Sequence, residues 1–356
     1  MQPMTRRTVL KGFAGAAALS AVGPRAFSAQ PSGKRMGTSA ACFGQRGRSS
    51  GKNGAPAPFR DALEMLEHCR GHGGGGVQTG VRGWSDGFAE RVRAYCEAHG
   101  MYFEGQLALP RDGADAARFE ADVKAAKAAG ATVVRCACLS GRRYETFEKP
   151  QDFDAFRGRA WRSVELAEPI VRRQRVRLAL ENHKDWRVPG MLELLEHVGS
   201  EYVGVCVDTG NSIALLEDPV YVVASYAPHA FACHLKDMAV REYEDGFLLW
   251  EVVFGDGFLD LAAMVKTLSS ANPAIQFSLE MITRDPLAVP CLTGKYWATM
   301  ADVPGRALAD TLTLVRKHAS AKPPPRVGGL SADERAAAEE SNIKACFAYA
   351  HDRLQL

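Results

Sequence analysis

The chain has 356 residues, 46% hydrophobic and 24% charged, with 44 Lys and Arg against 41 Asp and Glu for a net charge of +3. That length and apolar content suffice for one large domain or two small ones with a sizeable core. Acids and bases are interspersed, which argues against a nucleic-acid binder and against a polybasic membrane-surface protein.

At the amino terminus, "MTRRTVLKGFAGAAALSAVGPRAFSA" pairs Arg6 with Arg7, runs through small apolar residues from Gly12 to Gly23, and closes on Ala26, Phe27 and Ser28. This resembles a bacterial twin-arginine export signal cut after Ser28, and implies a periplasmic protein exported folded. The apolar run is too short and too rich in Ala and Gly for a spanning helix, so no stable membrane anchoring is expected after cleavage. The expected organisation is a signal peptide over 1–28, a catalytic barrel over 35–320, and a Pro-rich linker with a C-terminal helix over 321–356.

Eight apolar runs then read as strands: 35–43, 76–81, 101–109, 132–139, 176–182, 202–208, 230–236 and 275–282. Between them, "PFRDALEMLEHCR", "FAERVRAYCEAHG", "DAARFEADVKAAKAAG" and "AWRSVELAEPIVRRQ" repeat apolar residues at steps of three and four, as amphipathic helices do. The strands lack strict alternation, which signals burial on both faces of a parallel sheet. Eight strand–helix units in this length predict a (β/α)8 TIM barrel; no GxGxxG follows the first strand to suggest a dinucleotide fold. Nine cysteines, without a CxxC, read as buried thiols. "HGGGG" at 72–76 imitates a lipase oxyanion loop, but no GxSxG accompanies it, so it reads as a turn. After the barrel, "AKPPPRVGG" is a linker. The last helix opens on a capping box, Ser331 and Glu334, and carries an apolar stripe of Ile343, Phe347, Ala350 and Leu354. It is expected to pack on the barrel or on a neighbouring subunit of a homo-oligomer.

Barrel enzymes keep their chemistry at the C-terminal ends of the strands. The fifth to eighth strands end in Glu181, Asp208 ("CVDTGN"), His234 ("CHLKD") and Glu280 ("SLEMI"). Three carboxylates aimed at one point repel one another unless a cation joins them. Three oxygen donors and one imidazole suit a divalent metal, Mn2+ or Mg2+ ahead of Co2+ or Zn2+.

These motifs resemble the xylose-isomerase-like barrel superfamily of sugar and sugar-phosphate isomerases and epimerases, over roughly residues 36–318. The resemblance implies a Glu–Asp–His–Glu metal site at Glu181, Asp208, His234 and Glu280. It also implies that Glu181 and Glu280 shuttle protons on opposite faces of the sugar while an enediolate forms. Where ketose 3-epimerases of the family often carry a His three residues after the metal Asp, this chain has Asn211. Lys236, Arg284 and Lys295 are cations suited to an anionic substrate. His183 would hydrogen-bond a substrate hydroxyl or support the site from behind, and Trp186 would wall a sugar ring. "ITRDPL" resembles branches acting on oxidised sugars, including decarboxylases.

The expected function is therefore a metal-dependent isomerase or epimerase of a sugar or sugar derivative. A metal-dependent lyase, a decarboxylase of a 3-oxo sugar acid, shares every ligand. A non-catalytic periplasmic sugar-binding protein is a further alternative. The expected partner is a small carbohydrate or sugar acid. A phosphodiester-cleaving relative acting on abasic DNA is opposed by the near-neutral charge and by the export signal. Finally, 46 residues separate His234 from Glu280, far more than a plain βα loop needs. Residues 238–257, with "FLLWEVVF" as half of a hairpin, are expected to cover the pocket or to form a dimer contact.

Overall fold

The structure is a computed structural model in which residues 36–52 and 54–356 are described. The expected export signal lies outside the described residues. Eight parallel strands close into a barrel: β1 (Met36–Ser39), β2 (Gly76–Gly80), β3 (Tyr102–Leu107), β4 (Val133–Ala137), β5 (Arg177–Glu181), β6 (Val203–Asp208), β7 (Ala230–Leu235) and, as the eighth, β10 (Gln276–Leu279). Each falls inside one of the apolar runs, trimmed at its ends. β6 is buried throughout, which is why its sequence shows no alternation. β1 pairs with β10 on one side and β2 on the other, and that closes the ring.

The outer layer contains α1 (Ala62–Gly71), α2 (Asp86–His99), α3 (Ala116–Ala128), the single turn α4 (Arg143–Thr146), α5 (Pro150–Gln174), α6 (Val188–Val198), α7 (Pro219–Tyr226) and α8 (Leu261–Ala271). Local chemistry sets several of their ends. Asp61 accepts from Leu63 and Glu64 to start α1, and Ser85 accepts from Phe88 to start α2. Gly100, at φ +62°, lets the chain leave α2 in the left-handed conformation.

Two helices follow β10, and they behave differently. α9 (Gly305–Lys317) buries Leu312 and Val315 in a satellite core, not in the main one. α10 (Ala332–Tyr349) buries Ile343, Cys346 and Phe347 in the main core. It starts on the expected capping box of Ser331 and Glu334. The helix beyond the linker therefore packs on the barrel of its own chain. The cysteines are free, and all but the half-buried Cys138 are buried.

The long interval after β7 is a β-hairpin, β8 (Asp237–Tyr243) and β9 (Gly246–Val252), joined on its far edge by β11 (Leu287–Val289). Asp237 ties the base of this sheet. Its carboxylate accepts from the backbone N–H of Met238, Gly255, Gly257 and Leu259. A Cβ on Gly257 would lie 2.0 Å from Asp237 Oδ1, so only glycine lets the chain close on the clasp. The apolar side chains of "FLLWEVVF" are used within the chain: Phe247 and Leu249 pack with Ile213, Leu215, Val289 and Tyr296. No helix among the described residues is long and apolar enough to cross a membrane.

Candidate metal centre

Four polar residues stand where four buried strands end. Glu181 and Asp208 are the last residues of β5 and β6, His234 is the penultimate residue of β7, and Glu280 directly follows β10. Strand register holds them level: Asp208 is opposite His234, and His234 is opposite Ser278, two residues before Glu280. All four are buried, and one ligand atom from each lies within 4.8 Å of the others.

His234 is oriented from behind. Its Nε2 lies 2.7 Å from Gln78 Oε1, and Gln78 Nε2 donates to Glu104 Oε2 at 3.0 Å. Because the amide nitrogen is committed to Glu104, the amide oxygen faces the ring, and Nε2 must carry the proton. Nδ1 then presents a lone pair to the cluster, 3.5 Å from Glu181 Oε2 and 3.3 Å from Glu280 Oε1. It has no hydrogen-bond partner. Burial pushes the Glu104 carboxyl up to about 7.

Asp208 is held with comparable rigidity. Oδ1 accepts from the backbone N–H of Gly210 and Asn211, each at 2.9 Å. The Asn182 amide brackets its backbone, donating to Asp208 O at 3.0 Å and accepting from Asp208 N at 2.8 Å. Oδ2 receives no aligned donor, although the Lys236 ammonium stands 2.8 Å away as an ion pair. An imidazole nitrogen with no hydrogen-bond partner and a carboxylate oxygen met only by an ammonium, buried and aimed at one point beside two further carboxylates, fit a divalent cation.

Cations surround the cluster. Arg135, from inside β4, donates Nε to Glu181 Oε2 and ion-pairs with the same oxygen. Lys236 is 1% exposed and lies 2.6 Å from Glu280 Oε2. Burial alone would lower its ammonium, but the carboxylates of Asp208, Glu280 and Glu251 outweigh that and hold it above its ordinary value. Glu251, from β9, lies 4.0 Å from Lys236 and accepts from Arg284 Nε at 3.1 Å. The hairpin thus contributes a carboxylate to the edge of the site. Asn211 joins the two halves. Its Nδ2 donates to Asn182 O and Glu181 Oε1, and its Oδ1 accepts from Lys184 and, at 3.5 Å, from Lys236.

The loop after β5 is built by its own side chains. Asp185 accepts from His183 N at 3.1 Å and Trp186 N at 2.8 Å, and its other oxygen accepts from Leu139 N at 3.2 Å. Lys184 has φ +71°, uncommon for a residue with a Cβ, and its buried ammonium is pushed down to about 7 by burial and by the nearby Lys236 charge. His183 lies 3.0 Å from the Leu139 carbonyl through Nδ1, which must therefore donate, and burial pushes the ring down to about 4. It is a neutral imidazole near pH 7.

Of the residues marked in the sequence, Glu181, Asp208, His234, Glu280, Lys236 and Asn211 converge, with Arg284 one carboxylate further out. Two lie elsewhere. The Trp186 ring is buried against Phe153 and Phe156, behind the loop, and Lys295 is exposed beside Glu148. Lys236 is buried. Arg135, Gln78, Glu104, Lys184 and Glu251 carried no strong sequence signal. The one available cue was a charged or amide residue interrupting an apolar run, as Arg135 does in "TVVRCACL".

A family model described as a xylose isomerase-like TIM barrel matches residues 66–302. A 3-oxo-isoapionate decarboxylase from Pectobacterium atrosepticum is 29% identical over 102 residues, 28% of this chain and 37% of that protein's length. Among solved structures, a xylose isomerase-like TIM barrel protein from Mycobacterium smegmatis in complex with magnesium superposes with a TM-score of 0.53. It is 17% identical and covers 78% of this chain and 97% of its own. A D-psicose 3-epimerase with D-tagatose from Clostridium cellulolyticum H10 gives a TM-score of 0.55 at 13% identity, covering 80% and 99%.

Proposed function

This chain belongs to the xylose isomerase-like TIM barrel family, and from that premise we propose that it is a divalent-metal-dependent enzyme that forms an enediolate from an oxidised sugar, releasing carbon dioxide from a 3-oxo sugar acid. The observation that carries this reading is the charge balance of the site. Four buried carboxylates, Glu181, Asp208, Glu280 and Glu251, meet three cations in direct ion pairs, Arg135, Lys236 and Arg284. Among these ion-paired groups alone, a dication turns one excess negative charge into one excess positive charge. A singly ionised sugar acid neutralises that surplus, whereas a neutral ketose leaves it buried. The partial match to a decarboxylase supports the same choice.

A bound divalent ion would polarise the substrate's carbonyl and hydroxyl oxygens. The chain's own groups do the rest. When the carbon–carboxylate bond breaks, its electron pair forms the carbon–carbon double bond of the enediolate, the carbonyl π pair moves onto the 3-oxo oxygen, and carbon dioxide leaves. The Lys236 ammonium is available to meet that developing charge. The proton that then returns to carbon is relayed by Glu280, whose Oε2 lies 2.6 Å from the Lys236 ammonium. Arg135 on Glu181 Oε2 fixes the direction of that carboxylate toward the cluster.

Isomerisation or epimerisation through the same enediolate is the second reading. It is favoured by the two carboxylates, Glu181 and Glu280, contributed by strands separated around the ring. One experiment separates the two. Full-length protein with Mn2+ is incubated in D2O with 3-oxo sugar acids and with free ketoses, and released carbon dioxide and deuterium incorporation are followed. Carbon dioxide from the acid is expected. Deuterium exchange into a neutral ketose without carbon dioxide from any acid would favour the epimerase instead.

A further inference from the structure

We propose that His68, His72 and Glu340 form a second divalent-metal site, for Zn2+ or a related transition ion, that clasps the C-terminal helix to the barrel wall. His68 lies one turn before the end of α1, and His72 is the first residue beyond it, at the head of "HGGGG". Four residues apart, the two rings share one face. Glu340 comes from α10, 268 residues after His72.

The geometry is that of a ligand set. The two Nε2 atoms are 3.3 Å apart. His72 Nε2 lies 2.8 Å from Glu340 Oε1, and His68 Nε2 lies 3.1 Å from Glu340 Oε2. A tetrahedral ion with bonds of about 2.0–2.1 Å spaces its ligand atoms by about 3.3 Å. The rings are held in place by packing. His68 stands edge-on to Phe43 and is tilted against Phe59, and His72 stacks on Phe347 of α10. All three donors are half-buried, at 18–27% exposure, so an ion and the water completing its shell can reach them. Two imidazoles and one carboxylate with an open fourth position form a donor set that zinc accepts.

The cluster already draws a cation. Arg46 Nη1 lies 3.1 Å from Glu340 Oε2 and 3.4 Å from His68 Nε2. The guanidinium can turn aside about its own long side chain while keeping its place over the Phe59 ring, 4.1 Å from the centroid. The neighbouring Glu339 accepts from the backbone N–H of Gln45 and Arg46, in the segment that leaves β1 on the catalytic face. A metal at His68, His72 and Glu340 therefore fixes the helix that holds this segment.

The test separates this site from the central one. Chelator-stripped full-length chain is titrated with Zn2+ alone. Wild type should bind two ions per chain, His72→Gln one, and the double variant Asp208→Asn with Glu280→Gln one. In that double variant, Zn2+ should slow tryptic cleavage after Arg335 and Lys344 about tenfold, as a ligand near ten times its dissociation constant does. Adding His72→Gln should abolish the effect. Co2+ in the double variant should give the visible absorption of a tetrahedral site. Arg46→Gln, which removes the competing cation, should tighten Zn2+ binding. The proposal is overturned if the double variant binds no Zn2+, if His72→Gln leaves the stoichiometry unchanged, or if Arg46→Gln weakens binding. Should wild type bind one ion and His72→Gln none, the clasp stands and the central centre fails.

Discussion

The Gln78 side chain decides which nitrogen of His234 faces the cluster. Its amide oxygen needs the Nε2 proton, because its nitrogen already donates to Glu104. Gln78→Leu should release the ring and weaken divalent-ion affinity by about 10- to 100-fold, the usual cost of losing such a partner. Isothermal titration with Mn2+ reads this directly. An unchanged affinity would mean that the ring is oriented by packing alone. His183 makes a prediction about pH. Burial lowers it from 6.5 to about 4, so the stability that its neutral ring contributes is complete above 6.5 and is lost as pH falls through 4. Asp185, raised by burial from 3.8 to about 6, acts in the opposite sense and is common to both proteins in the comparison. The margin in melting temperature of wild type over His183→Asn should shrink between pH 7 and pH 4. A constant margin would contradict the burial argument.

Among the elements, the β8–β9 hairpin bears most on the site. Its apolar face lies against the chain's own satellite core, and its buried Glu251 reaches toward Lys236 and holds Arg284. It walls the site and brings a carboxylate to its edge. Removing one partner of a buried pair typically costs about 3–5 kcal/mol, and Glu251→Gln should approach the lower figure because Arg284 keeps partial access to water. Urea unfolding measures it, with metal content expected to hold. A loss under about 1 kcal/mol would show that the pair is solvated. The barrel strands were legible because a buried parallel strand is an unbroken apolar run, and the four candidate ligands because each ends one. Arg135 was not, since an arginine inside such a run carries no sign of which partner it meets. Nor was the burial of Lys236: a lysine one residue past a strand end reads as solvated until the carboxylates around it are known. Trp186 and Lys295 were drawn toward the site by sequence proximity alone, and the packing of "KDW" and "TGKYW" sends them elsewhere. Glu340 lies 268 residues after His72, and pattern along the chain could not join it to the His68–His72 pair.

For the whole molecule, the central claim is that the barrel's C-terminal face holds a divalent ion among Glu181, Asp208, His234 and Glu280. The charge balance of the site, the role of His234 and the proposed reaction all depend on it. Crystals of the full-length chain grown with Mn2+ and measured at the manganese absorption edge test it most directly. The account predicts an anomalous peak about 2.0–2.3 Å from one atom of each of the four side chains, with Lys236 displaced from Asp208 Oδ2. Crystals grown with Mn2+ that carry no peak there, with Lys236 still bridging Asp208 and Glu280, would contradict it.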